Sequence, residues 1–151
     1  MFSKIVPMIV ILMIASFICV FTILKPVMGI PIRGSLGAFF FATFIYIFTV
    51  TGLGLFISTI SSNLADTVLF SIFILVPIMF LSGAWVPLES MPPWMQYLIR
   101  FSPLKYYLDI GYGVFFKGTS LLMMWKEMLA LFGLGVASFL IGAIRFRKVY
   151  Q

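Results

Sequence analysis

Histidine is absent from this 151-residue chain, and cysteine occurs once, at Cys19. Those two absences exclude a disulfide framework and a Cys/His metal centre; Cys19 itself reads as a small apolar filler in a helix. Charge is scarce: 9% of residues are Asp, Glu, Lys or Arg, where a soluble globular domain carries about a quarter. Only four carboxylates exist, Asp66, Glu89, Asp109 and Glu127. None falls within an apolar run, so a mid-membrane proton relay of the usual kind has no groups to use. Glu89 and Glu127 read as membrane-edge charges rather than as an acid/base pair. A Walker A loop is missing too. The closest string, Gly113-Val-Phe-Phe-Lys-Gly-Thr119, lacks its spacing. The sequence therefore gives no basis for a catalytic residue, a metal ligand or a cofactor, and hydrolysis of ATP by this chain is not expected.

Apolar residues make up 63% of the chain, too many to hide behind so little polar surface. Lipid is the expected solvent. The net charge of +6 does not point to nucleic acid, because the ten basic residues are scattered. Lys4, Lys25 and Arg33 stand between apolar runs and Arg145, Arg147 and Lys148 lie at the C-terminal end, as membrane-edge anchors do.

Four runs are long enough to cross a bilayer. The first, Ile5 to Leu24, spans twenty residues, a rise of about 30 Å. It is longer than a signal-peptide core and no small-x-small site follows it. Ile18 before Cys19 also spoils a lipoprotein cleavage box, so a retained span is expected, with Pro7 in its first turn. A Pro- and Gly-containing linker from Lys25 to Ser35 precedes the second run, Leu36 to Ile60. There Gly54, Ser58 and Ser62 recur every four positions, as do Thr43 and Thr51 around Ile47. Small residues at that spacing let another helix approach closely, here most simply within the same chain. Ser61 to Asp66 is a tight polar connection that makes the second and third runs antiparallel neighbours, with Ser62, Asn63 or Asp66 as the cap. The third run extends from Thr67 to about residue 88. Pro77 should kink it, and its helical character ends at Ser82-Gly83-Ala84. The stretch to Leu81 covers only about 22 Å at helical rise. The fourth run, Met128 to Ile144, carries small residues four apart at Gly133 and Ala137 and at Ser138 and Gly142.

Between the third and fourth runs lies a segment of another kind, about residues 89–118. Pro87, Pro92 and Pro93 crowd its start. Trp94, Leu98 and Phe101 then recur at i, i+4, i+7, with Met95 and Ile99 beside them, which is a short one-sided helix. Ser102-Pro103 reads as an N-cap followed by proline at N1, opening a second helix. Lys105 and Asp109 can pair along it. Tyr106, Tyr107 and Tyr112 suit a lipid–water boundary, and Gly111, Gly113 and Gly118 weaken and end it. Two placements fit: a hairpin that re-enters the bilayer, or one lying flat on its surface. The re-entrant one is preferred, with Gly83, Pro87, Pro92, Pro93, Pro103 and Tyr106 setting its shape. The fold class expected is thus an all-α membrane protein, a single transmembrane domain over 1–151, with spans at about 5–24, 36–60, 67–88 and 128–144.

Four crossings put both termini on one side. Lys4, Arg145, Arg147 and Lys148 fall on that side, and Lys25, Arg33, Arg100, Lys105, Lys117 and Lys126 on the other. The raw count opposes cytoplasmic termini and the dense basic tail favours them, so charge alone leaves orientation open.

The string Leu81-Ser-Gly-Ala-Trp-Val-Pro-Leu-Glu-Ser-Met-Pro-Pro-Trp-Met-Gln96 resembles the signature of type-2 ABC exporter permeases. So do Ser102-Pro-Leu-Lys-Tyr-Tyr107, Phe116-Lys-Gly118, the helix bearing Gly52-Leu-Gly-Leu-Phe-Ile-Ser-Thr59, and the closing Arg145-Phe-Arg-Lys148. The resemblance covers nearly the whole chain, and Tyr112 departs from it by standing where members usually carry arginine. It implies spans three to six of a six-span permease, a re-entrant hairpin on the outer side, and both termini cytoplasmic in a bacterial plasma (inner) membrane. It further implies a separate ATP-binding subunit, and either the N-terminal half of a permease or a second permease copy as a dimer partner. The first two spans and the coupling helix between them have no counterpart here, so a C-terminal half from a split, truncated or frameshifted gene is expected. The expected role is a membrane component of an ATP-driven exporter, forming part of its translocation path and resembling multidrug efflux permeases. The alternative is a non-transporting helical membrane protein that packs against a partner complex. An isolated secondary transporter ranks third, for want of mid-span charge.

Overall fold

Each long apolar run is a helix in the computed structural model, which describes residues 2–24, 29, 34–83, 85–119 and 121–149. Helix α1 covers Phe2–Cys19 and continues as a π-helical turn over Val20–Leu24. It starts three residues before the apolar run does, so Pro7 falls in its second turn rather than its first. Helix α2 is Leu36–Ile60 and α3 is Leu64–Leu81. Two short helices follow, α4 at Pro93–Ile99 and α5 at Pro103–Tyr112, and α6 closes the order at Trp125–Val149. Helices α1, α2, α3 and α6 are long and apolar enough to cross a membrane, and no strand occurs among the described residues. Of the linker from Lys25 to Ser35, only Gly29, Gly34 and Ser35 lie within the described residues.

Local chemistry explains the boundaries. Ser35 caps α2 by accepting the Ala38 N–H. Of the three caps considered for α3, Asn63 is the one used: its Oδ1 accepts the Asp66 N–H at 2.9 Å, a standard side-chain cap. The helix therefore begins at Leu64, ahead of the expected Thr67. It ends at Leu81, at the break expected over Ser82-Gly83-Ala84, because Gly83 adopts φ +82°, a left-handed conformation that stops a helix and suits glycine. Helix α6 overruns its apolar run at both ends, since helical hydrogen bonding continues past the point where lipid stops.

Helix α2 is the spine. It packs chiefly on α6, and the residue order of the contacts shows the two running parallel: Thr49 meets Leu131 and Gly135, and Gly52 meets Phe139 and Gly142. A Cβ on Gly52 would lie 2.9 Å from the Phe139 backbone nitrogen, and one on Gly135 2.5 Å from Thr49 Oγ1. Close approach thus uses Gly52, Gly135 and the expected Ser138–Gly142 pair. The Gly54–Ser58–Ser62 stripe is a correction, because it faces outward with nothing within 4 Å of a Gly54 Cβ. Gly133 and Ala137 are exposed as well. Both stripes have the same period; the faces that meet are chosen by where the threonines and Phe139 fit.

The packed core gathers at one end of this pair. Ala38, Phe39, Ala42 and Ile45 of α2 meet Ile110 and Val114, then Met124, Met128 and Leu131, with Val20 joining from α1. Helix α3 has no buried residue. It adjoins α2, α4 and α5, and otherwise turns its side chains outward.

Gly52→Ala is expected to destabilise the chain by about 1–3 kcal/mol through overpacking against backbone. Gly54→Ala should be neutral or stabilise by up to about 1 kcal/mol, since alanine favours helix and meets nothing. Reversible unfolding of both variants in mixed detergent micelles checks the contrast.

Candidate functional site

The segment between α3 and α6 is where the regular pattern stops. After Gly83 the chain runs to a 3₁₀ turn at Leu88–Ser90, in which the Pro87 carbonyl accepts both the N–H and the hydroxyl of Ser90. Pro92 occupies the N-cap of α4 with Pro93 at N1, and the Pro92 carbonyl accepts from Met95 and Gln96. Proline needs no N–H partner at these positions. Three consecutive turn bonds over Arg100, Phe101 and Ser102 then reverse the chain. Pro103 follows at N1 of α5 and is buried. Tyr106 folds back to donate its hydroxyl to the Arg100 carbonyl at 3.0 Å, closing the reversal. Lys105 and Asp109 pair at 3.1 Å as their spacing implies.

Ser102 is the N-cap of α5, but its side chain does not cap. Its Oγ instead reaches the Ile78 carbonyl at 3.5 Å. That carbonyl lies in the last turn of α3, where intrahelical donors run out. The hairpin thereby covers part of the end it departs from. The stripe of Trp94, Leu98 and Phe101 faces away from the protein, while Ile99 is fully buried and Met91 nearly so. A one-sided apolar helix is present, but the face turned inward is the one centred on Ile99. Sequence alone cannot tell a lipid-facing stripe from a core-facing one.

Helix α5 is tied to α2 by an aromatic ladder. Tyr107 stacks on Tyr46 with centroids 4.5 Å apart and planes 13° from parallel, and it also touches Phe39. Its hydroxyl lies 3.2 Å from Thr43 Oγ1. The Thr43 proton is already given to the Phe39 carbonyl at 2.8 Å. A hydroxyl has one proton, so Tyr107 is the donor in the contact with Thr43. At its far end α5 widens into a π-helical turn, Gly113–Lys117, stopped by Gly118 at φ +63°. There the Val114 carbonyl accepts the Gly34 N–H at 2.9 Å and Phe115 packs on Phe39. Tyr107 thus meets α2 well along its length and Val114 meets the residues just before it, so α5 runs antiparallel to α2. The partner role of Tyr107 was legible only as an aromatic at a boundary; its register against Thr43 and Tyr46 requires the fold.

Four long apolar helices, with a helical hairpin packed on α2, α3 and α6, define a polytopic helical membrane protein. The model of the ABC-2 type transporter family matches residues 1–116. The inner membrane transport permease YhhJ of Escherichia coli (strain K12) is 30% identical over 148 residues, 98% of this chain and 40% of that protein. From the same organism, the probable multidrug ABC transporter permease YbhR is 33% identical over 99 residues, 66% of this chain and 27% of that protein. The probable multidrug permease YbhS is 29% identical over 119 residues, 77% of this chain and 31% of that protein. No solved structure matches the chain significantly. The chain belongs to the ABC-2 type transporter family, with relatives named for the inner membrane. It spans about 40% of the length of the first relative named.

A double-mutant cycle of Thr43→Val and Tyr107→Phe should give a coupling of about 0.6 kcal/mol, and no more than about 1.7, the range for hydrogen bonds between membrane helices. Unfolding free energies of the four proteins in detergent measure it.

Proposed function

We propose that this chain supplies membrane spans to an ATP-driven exporter and that its hairpin re-enters the bilayer from the outer side to help form the outer gate. Gly83, Pro87, Pro92, Pro93, Pro103 and Tyr106 set the hairpin's shape in this reading, by stopping α3, starting α4 and α5, and closing the reversal between them. The observation that carries it is the stack of Tyr107 on Tyr46. Tyr46 stands ten residues past Leu36, about 15 Å along α2 at helical rise, roughly half the thickness of the hydrocarbon core. A hairpin lying flat on the surface does not reach that depth.

The proposed partners are a separate ATP-binding subunit, and the N-terminal half of a permease or a second permease copy. In this reading both termini are cytoplasmic, and the names of YbhR and YbhS, probable multidrug permeases, favour drugs as cargo. One further observation favours a second reading: the absence of buried residues in α3 also suits a non-transporting protein packed against a partner complex.

Cys19 is exposed and unpaired, and Cys19→Ser gives a thiol-free background. A cysteine placed at Gly118 is expected to react with an impermeant maleimide from outside intact cells, and one placed at Gln151 only after lysis. The reverse pattern rejects the topology. Reconstituted with its ATP-binding subunit, the chain should support substrate-stimulated hydrolysis; its absence favours the second reading.

A further inference from the structure

A cavity of about 670 Å³ lies between the end of α5, its π-helical turn and the start of α6. That size falls among small-molecule sites, which run about 300–1,000 Å³. Tyr112 and Phe116 stand on its wall as an aromatic pair, ring centroids 5.9 Å apart, both more than half exposed. Opposite them, Met124 is held by a contact from Thr119 Oγ1 to its sulfur at 3.0 Å. Gly113 leaves room for that contact, since a Cβ there would come within 2.5 Å of the Met124 methyl. Glu127, in the first turn of α6, also lines the cavity. Its Oε2 is buried and has no hydrogen-bond partner among the described residues.

The charges around this carboxylate are few. Asp109 is already paired with Lys105. Lys117 lies on the rim and is exposed, and no ion pair joins it to Glu127 among the described residues. A buried acceptor with no donor bears its full desolvation penalty. A ligand that brings a cationic N–H removes that penalty with a charge-assisted bond. The exposed faces of Tyr112 and Phe116 attract the same cation, and the methionines suit an apolar body.

We propose that this cavity binds a protonated primary or secondary amine carried on an apolar body, its ammonium hydrogen-bonded to Glu127 and resting against Tyr112 and Phe116. The inference goes beyond the gating role and does not depend on transport. The same chemistry is offered by a free amphipathic amine and by the headgroup of an aminophospholipid. The competing arrangement is Lys117 swinging in to neutralise Glu127.

The test is direct binding to the full chain in phosphatidylcholine nanodiscs, with empty nanodiscs subtracted. Dansylcadaverine is the probe, alongside its trimethylammonium analogue, which keeps the charge but cannot donate. Saturable binding of the primary amine is expected, with the analogue and the Glu127→Gln variant each weaker by about ten-fold. Tyr112→Ala should weaken it about three-fold. Should Glu127→Gln fail to fold, the probe pair on the unaltered chain and Tyr112→Ala, at an exposed position, still decide. Adding phosphatidylethanolamine to the nanodiscs separates the sources: competition identifies the lipid headgroup, and no competition the free amine. Absence of saturable binding, as an internal Lys117–Glu127 pair requires, overturns the proposal. So does equal affinity for the two probes, or equal affinity of Glu127→Gln and the unaltered protein.

Discussion

In a bilayer no water is at hand for a stray N–H or C=O, and each one left unpaired in hydrocarbon costs several kcal/mol. That constraint governs this chain from its spine outward. The buried threonines of α2 turn their hydroxyls back to their own helix: Thr49 to the Ile45 carbonyl, Thr51 to Ile47 and Thr59 to Phe56, at 2.7–2.8 Å. A helix so satisfied can present both apolar and polar residues to α6 at close range. Where helical order stops, other parts of the chain supply the partners. Ser102 reaches the Ile78 carbonyl, Tyr106 the Arg100 carbonyl, and Gly34 the Val114 carbonyl. The hairpin is held because α2, α3 and the segment before α2 meet it with donors and acceptors.

This arrangement divides the chain mechanically. Helices α2, α5 and α6 and the π-helical turn after α5 share one core, whereas α4 rests on α3. Helices α1 and α3 are attached more loosely, with most of their apolar side chains turned outward.

The spans were readable because an apolar run of bilayer length admits few other fates. For α2 the expected and observed boundaries agree, Leu36 to Ile60. The start of α3 was less legible, since Ser62, Asn63 and Asp66 can each cap and only geometry chooses Asn63. The ends of α6 were hidden because hydropathy marks where lipid ends, not where helical bonding ends. Small-residue periodicity announced a close helix pair but not its face: Gly52 and Gly54 lie two residues apart, and only Gly52 is in contact. The same ambiguity set Ile99 beside the Trp94 stripe, whereas the fold buries Ile99 and leaves Trp94 exposed. The π-helical turn at Gly113–Lys117, the cavity beside it and the unpartnered Glu127 oxygen had no signature in the sequence, because all three lie where α5 meets α6. The family resemblance, by contrast, rested on short strings of residues, Leu81 to Gln96 above all, that need no fold to be read.

The central claim is that α5 begins deep in the bilayer, against the middle of α2. Spin labels placed singly at Leu104, in the first turn of α5, and at Leu122, exposed beyond the hairpin, measure it in liposomes by collision with oxygen and with a water-soluble nickel complex. The account predicts the Leu104 label in the hydrocarbon region, favouring oxygen, and the Leu122 label at the interface. Equal depth for the two labels, both at the headgroups, would contradict it.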